Sequence, residues 1–213
     1  IKPSDKSKIL EIGCGWGSLA SYLARNTSAH VTAVTISKQQ HQHVSKLIFE
    51  EGLNENVKVE LKDYRNINEK YDSIVSIEMF EAVGEQYWPI FFNKLRKNLK
   101  YGGRAALQII TISEKLFDNY RSRPDFIQRY IFPGGMLPTK NIIKDLINKE
   151  DLKLTDEYNF AESYAKTLNL WNKSFQKSWP DISKNGFNEY FKRMWEYYFA
   201  YCEGGFKGGS IDI

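Results

Sequence analysis

Cysteine is scarce in this chain: Cys14 and Cys202 stand near opposite ends of 213 residues. Two such residues make neither a disulfide framework nor a cysteine-based metal site, and they suit a reducing cytoplasm. There are three histidines, and His41 and His43 are two apart, which puts them on different sides of any helix. No metal centre is therefore predicted. No apolar run approaches the ~18 residues of a membrane-crossing helix, and the opening I-K-P-S-D-K-S-K lacks the apolar heart of a signal peptide. Repeats, low-complexity tracts and linkers are absent, so residues 1–213 read as one domain with an inserted cap. Charge of neither sign dominates. The net +4 and pI near 8.8 permit an anionic membrane surface or a nucleic acid as partner without demanding either.

The chain's most informative stretch is Lys8 to Gly17, K-I-L-E-I-G-C-G-W-G. Ile9 and Leu10 begin a buried strand, Glu11 follows, and Gly13, Gly15 and Gly17 then alternate. Glycine tolerates the positive φ of an abrupt turn and lets a ligand approach the backbone. Leu19, Ala20, Tyr22 and Leu23 continue at helical spacing, so the glycines join a strand to a helix, as at a nucleotide-type site.

Val31 onward, V-T-A-V-T-I, reads as a second strand. A nicotinamide-binding protein would carry an acid about 20 residues after the first glycine. Here Thr35 stands 22 residues after Gly13, and the glycine pattern is G-x-G-x-G, so a nicotinamide cofactor is disfavoured. Ser37 to Glu51 predicts a helix with Val44, Leu47 and Ile48 inward and Gly52 as its stop. Val57 to Leu61 predicts a third strand ending at Asp63 and Tyr64, a pair that suits either an adenine ring or an ordinary solvated loop. Tyr71 to Ile77 predicts a fourth strand leading to Glu78 and Glu81, two acids that face a ligand crevice. Glu78 shapes that pocket, and Glu81 either acts in it or caps the next helix. Tyr87 to Leu99 predicts a helix, Tyr101 to Gly103 a turn, and Arg104 to Ile112 a fifth strand.

This alternation specifies an α/β, Rossmann-like fold with a mostly parallel central sheet and helices on both faces. After Ile112 the rhythm breaks. Residues 113–138 read as an irregular insertion, Thr139 to Asn148 as a helix, and Lys153 to Phe160 as a sixth strand. Residues 160–206 hold 14 aromatics in 47 positions, about twice the chain average of 15%. They predict two helices, one through Tyr164, Leu168, Trp171 and Phe175, the other through Phe187, Phe191, Trp195, Tyr198 and Phe199. These rings suit a helical core and also the wall of a greasy cavity. Only eight residues precede the first strand and Ser210 to Ile213 stop where another could begin, so an N-terminal region and a last strand are expected beyond this sequence.

Several blocks, taken in order, carry a resemblance: E-I-G-C-G-W-G at Glu11 to Gly17, T-I-S-K-Q-Q at Thr35 to Gln40, M-F-E-A-V-G at Met79 to Gly84, Y-I-F-P-G-G-M-L-P at Tyr130 to Pro138, Y-A-K-T-L-N-L-W at Tyr164 to Trp171, and Arg193 to Phe206. Together the chain resembles the cyclopropane-fatty-acyl-phospholipid synthases and their mycolic-acid methyltransferase relatives, class I methyltransferases. The glycine pattern alone is shared by any class I methyltransferase. The Y-I-F-P-G-G and Y-x-x-T-L-x-x-W blocks are far more specific.

The resemblance implies S-adenosylmethionine as donor and the cis double bond of a phospholipid acyl chain as acceptor, giving a cyclopropane fatty acid through a carbocation. It implies that Glu11, Gly13, Gly15 and Gly17 hold the donor's methionine part, with backbone amides facing its carboxylate. Thr35 and Gln40 would meet the ribose, and Asp63 and Tyr64 would flank adenine. A bicarbonate ion bound near Glu81, Tyr164 and the main chain of Ile110 is also implied. The chain departs from the pattern at Gln108, where many members have histidine. A further cysteine that members carry upstream of the first strand would fall before the point at which this sequence begins. The implied setting is cytoplasmic, peripheral to the inner face of a membrane, with no nucleic acid as partner and with a homodimer left open. Arg121, Arg123 and Lys140 suit either lipid head groups or solvent. Alternatives are methyl transfer to a methyl-branched lipid, a sterol or a small molecule, and a non-catalytic cofactor- or lipid-binding module.

Overall fold

The computed structural model describes residues 1, 3 and 6–213. Its chain divides into two compact units: residues 1–109 with 146–153, and residues 110–145 with 154–213.

The first unit opens with β1 (Lys8–Ile12), α1 (Ser18–Asn26), β2 (His30–Thr35), α2 (Lys38–Glu50), β3 (Val57–Leu61), β4 (Tyr71–Ile77), α3 (Trp88–Asn98) and β5 (Leu99–Gln108). The five strands are all parallel, in the order β3-β2-β1-β4-β5. Strands covered on both faces read as continuous apolar runs rather than alternating ones. Accordingly Ile9, Leu10, Ile12, Val31, Ala33, Val34, Ile74 and Val75 are all buried. Helix α2 lays Val44 and Ile48 against this core, is capped by Ser37 accepting from the Gln40 amide, and is followed by Gly52 at φ 69°. The order reverses between β1 and β4, so a ligand crevice is predicted outside their carboxyl ends.

In the second unit, β6 (Thr111–Ile112) and α4 (Glu114–Ser122) lead to a π-helical turn at Ile127–Ile131. Then come α5 (Lys140–Lys149), whose last turn belongs to the first unit, α6 (Ala161–Lys184), α7 (Glu189–Lys207) and β7 (Ile211–Asp212). Ala165, Leu168, Phe199, Phe206 and Ile213 form the core of this unit. Tyr164, Phe175, Trp195 and Tyr198 close around it as half-buried rings. Both helices through the aromatic blocks form, although α7 begins at Glu189 and leaves Phe187 just before it, because Asn188 caps the helix by accepting from the Phe191 amide.

Three expectations are corrected. The fifth strand starts earlier, at Leu99 paired to Tyr71, because a register shift absorbs the turn at Gly102. It also ends at Gln108, and Thr111 and Ile112 pair antiparallel with Asp212 and Ile211 in a separate two-stranded sheet. The insertion at 113–138 contains a regular helix and a π turn rather than irregular chain alone. Residues 153–160 alternate like a strand but form none, since no neighbouring strand offers them an edge. They are held by the ion pair Lys144–Glu157 (2.9 Å), by Lys140 donating to Asn159 (2.8 Å) and by the Phe160 amide donating to the Ile213 carbonyl (3.1 Å).

Candidate active site

The first unit holds a crevice of about 320 Å³ at the carboxyl ends of its strands. That volume suits a small ligand. Gly13, Thr35, Gln40, Asp63 and Tyr64 all line it, so five of the residues singled out in the sequence share one wall. Ile36, Arg65, Met79 and Tyr87 line it as well.

The glycine turn has three positive φ angles, 80° at Gly13, 52° at Gly15 and 88° at Gly17. A Cβ at Gly13 would come 2.6 Å from Met79 Cγ, and one at Gly17 would come 2.8 Å from Val44 Cγ1. These two glycines are thus needed for close packing as well as for the turn. The Gly13 and Cys14 amides both donate to the Val34 carbonyl at 3.0 Å, and the Gly17 amide donates to the Cys14 carbonyl at 2.9 Å. Of the three glycines, Gly15 is the one whose amide has no such partner among the described residues. The sequence reading gave all three the same task, and the structure divides it. Burial and the charge of Glu11 push the Cys14 thiol up to about 11, so it packs rather than reacts.

Glu11 lies within β1 beneath this turn and is 3% exposed. Burial pushes its carboxyl up to about 7, against the opposing pull of a hydrogen bond from the Ala20 amide in the first turn of α1. Its Oε2 is buried without a hydrogen-bond partner among the described residues. Such an atom is costly unless something polar meets it.

Thr35 Oγ1 donates to Gln40 Oε1 at 2.8 Å and accepts from the Ser37 amide at 3.1 Å. With its oxygen engaged, Gln40 presents its NH2 donors. The Asp63 carboxylate is gripped by Arg65, whose Nη2 donates to Oδ2 at 2.6 Å and whose Nε donates to Oδ1 at 3.0 Å. That guanidinium holds the Asp63 carboxyl below its ordinary range. The carboxylate keeps acceptor capacity beyond these bonds. Arg65 also stands 5.3 Å over the Tyr87 ring, and the Tyr64 ring meets Phe91 edge to face at 5.5 Å. The sequence reading missed Arg65 and Tyr87. A basic residue two after a strand-end aspartate is the available signal for the first, since it closes the turn that Asp63 begins with the Arg65 amide (2.8 Å).

Glu81 sits on the short turn Phe80–Ala82 after β4, next to the crevice residues Ala82 and Val83. Gln108, at the end of β5, donates from Nε2 to Glu78 Oε1 at 2.6 Å, and the Glu78 amide donates to the Gln108 carbonyl at 2.9 Å. The other two residues singled out belong to the second unit. Tyr164 packs its ring on Phe206 at 4.8 Å and edge to face on Trp171 at 6.1 Å, and Ile110 packs on the same core.

A parallel sheet with a glycine turn, a strand-end Thr–Gln pair and an Asp–Tyr wall defines a class I methyltransferase fold. The chain belongs to the mycolic acid cyclopropane synthetase family, whose sequence pattern matches residues 2–213. It is 39% identical over 208 residues to the tuberculostearic acid methyltransferase UfaA1 of Mycobacterium tuberculosis, covering 97% of this chain and 48% of that protein. To the cyclopropane-fatty-acyl-phospholipid synthase of Escherichia coli K12 it is 38% identical over 213 residues, 100% of this chain and 53% of that one. The chain thus spans about half the length of these relatives. Among solved structures it superposes on the cyclopropane synthase MmaA2 from Mycobacterium tuberculosis with a TM-score of 0.90 at 29% identity, over 98% of this chain and 76% of that one. The match to the mycolic acid cyclopropane synthase CmaA1 complexed with SAH and CTAB has a TM-score of 0.89 at 26% identity, with the same coverage.

Proposed function

We propose that the protein transfers a methylene group from S-adenosylmethionine to the cis double bond of an unsaturated phospholipid acyl chain, forming a cyclopropane fatty acid. The observation that carries this reading is the shared wall of Gly13, Thr35, Gln40, Asp63 and Tyr64 in a chain of this family. The donor fits these residues. Gln40 offers donors to ribose oxygens, Tyr64 a flat face to adenine, and the orphaned Glu11 oxygen an acceptor beneath the turn. Met79 takes the space a Cβ at Gly13 would need, so the two residues pack against each other in the crevice wall.

When bound, S-adenosylmethionine supplies an electrophilic methyl group. An alkene is a weak nucleophile, so the protein must hold the double bond in line with that methyl and exclude water. The resemblance gives Glu81, Tyr164 and the Ile110 main chain the task of holding a bicarbonate ion that serves as base. The rings of the second unit suit an acyl chain and the positive charge that grows on it. The two units then act together as one catalytic domain. We also propose that the enzyme takes its lipid from the inner membrane face as a peripheral protein, a setting the resemblance implies; no helix among the described residues is long and apolar enough to cross a membrane.

A bicarbonate ion does not fit beside Gln108 in this chain. The Gln108 amide is already held 2.6 Å from the Glu78 carboxylate, and a second anion on the same NH2 would face that negative charge.

A second reading is favoured by the UfaA1 relative, named a tuberculostearic acid methyltransferase: methyl transfer followed by loss of a proton without ring closure, giving a branched chain that keeps one double bond. Full-length protein incubated with the donor and unsaturated phospholipid vesicles should add one CH2 to each reacting acyl chain by mass spectrometry, and NMR of the product separates ring from branch. Unchanged chains from a folded, donor-loaded protein would sink both readings and favour a different acceptor.

A further inference from the structure

Glu78 is the first residue after β4, the strand that borders the reversal of sheet order. Its φ of 48° lies in the left-handed region, which a residue with a Cβ adopts at a cost. Its amide donates to the Gln108 carbonyl at 2.9 Å, and its Oε1 accepts from Gln108 Nε2 at 2.6 Å, which helps to hold it there. The next residue, Met79, lines the crevice. A strained backbone, an oriented carboxylate and an adjacent ligand wall coincide at the carboxyl end of a central strand, where α/β proteins bind their ligands. The side chain is also exposed, so burial has not consumed it as core structure. A glutamine suits this arrangement because it donates to a carboxylate without carrying a charge or a proton of its own to exchange.

We propose that Glu78, oriented by Gln108, is the resident carboxylate of the reaction centre and takes the proton released on ring closure, in the place of a bicarbonate ion. This rests on the methylene-transfer reading above. The alkene π pair forms a carbon–carbon bond to the methyl carbon as the sulfur–methyl bond breaks and the neutral thioether leaves. Positive charge then stands on the other alkene carbon. A Glu78 oxygen accepts a proton from the transferred methyl, and the C–H electron pair closes the ring onto that carbon and cancels its charge. The proton passes from the carboxyl group to water, and no oxidant or reductant is needed. Gln108 acts through Glu78 and is a positioning residue.

The test uses full-length, donor-loaded protein in buffer stripped of carbon dioxide. Wild-type turnover should change less than about twofold when millimolar bicarbonate is restored. Glu78→Gly, which relieves the left-handed strain and so keeps the fold, should lose about a hundredfold or more and regain at least about tenfold with bicarbonate. Glu78→Gln should lose as much without recovery while its donor affinity by calorimetry stays at the wild-type value. Titration with 13C-labelled bicarbonate, read by NMR, should find no bound ion in the wild type and one in Glu78→Gly. Bicarbonate bound by the wild type, a wild type dependent on it, or full turnover in both variants would overturn the proposal. A wild type that binds donor and leaves every lipid unchanged would overturn the methylene-transfer reading instead. The bicarbonate titration would still decide whether Glu78 occupies the anion's place.

Discussion

The two units bury apolar surface in different ways. In the first, Ile9, Ala33, Val44, Ile74 and Phe91 are fully buried in aliphatic and aromatic layers tied to a five-stranded ladder. In the second, few residues are fully buried: half-exposed rings such as Trp171 (48%) and Tyr197 (52%) pack on rings of their own helices, and Tyr164–Phe206 and Phe175–Phe199 meet across α6 and α7. A hydrogen-bonded sheet fixes the spacing of its side chains, whereas rings on two helices can tilt and slide while keeping most of their contact. The first unit is therefore the more rigid of the two, which suits the polar cofactor proposed for its crevice. Under the proposed function, the second accepts a long apolar chain whose length and bends vary.

Core truncation sharpens this contrast most strongly. Ile74→Ala should cost about 4 kcal/mol, near the top of the range for such changes, because the sheet cannot collapse onto the gap. Phe199→Ala removes more volume but should cost only about 3 kcal/mol, since Trp195, Phe175 and Tyr198 can close in. Denaturant unfolding of the two variants measures both. Equal loss per atom removed would erase the distinction.

The next effect concerns the buried charge of the first unit. The folded Glu11 carboxyl is raised to about 7 from 4.5, so the folded state binds more protons than the unfolded chain between these values. The stability this group supports is complete below pH 4.5 and declines by about 3 kcal/mol as pH rises to 7. Glu11→Gln should flatten that decline in unfolding curves of the donor-free protein. An unchanged slope would mean that Glu11 is better solvated or paired than its burial implies.

The smallest effect isolates the turn. Gly13→Ala places a methyl group against Met79 and keeps φ at 80°, and it should weaken donor binding about tenfold, or 1.4 kcal/mol, by calorimetry. Wild-type affinity would remove Gly13 from the binding wall.

The parts of this architecture that were legible in the sequence are those fixed by local chemistry. The apolar runs at Ile9, Val31 and Tyr71 announce buried parallel strands, and three alternating glycines announce the turn. Thr35, Asp63 and Tyr64 could be placed on one rim because they sit at or just past strand ends, and Gln40 because it lies in the first turn of the helix that follows β2. What escaped depends on partners distant in sequence. Thr111 leaves the main sheet because Asp212, about a hundred positions later, pairs with it. Leu154 and Tyr158 alternate like strand residues, yet no strand lies beside them and they remain exposed at 43% and 83%. The Glu78–Gln108 clasp joins residues 30 apart and depends on a left-handed φ that no glutamate advertises.

The most direct measurement supplies full-length protein with a donor whose methyl group is deuterated, together with unsaturated phospholipid, and weighs the acyl chains. Methylene transfer with loss of one proton to a base predicts chains that retain all but one of the methyl deuterons. Chains retaining every deuteron, or none incorporated by a donor-loaded protein, would contradict it.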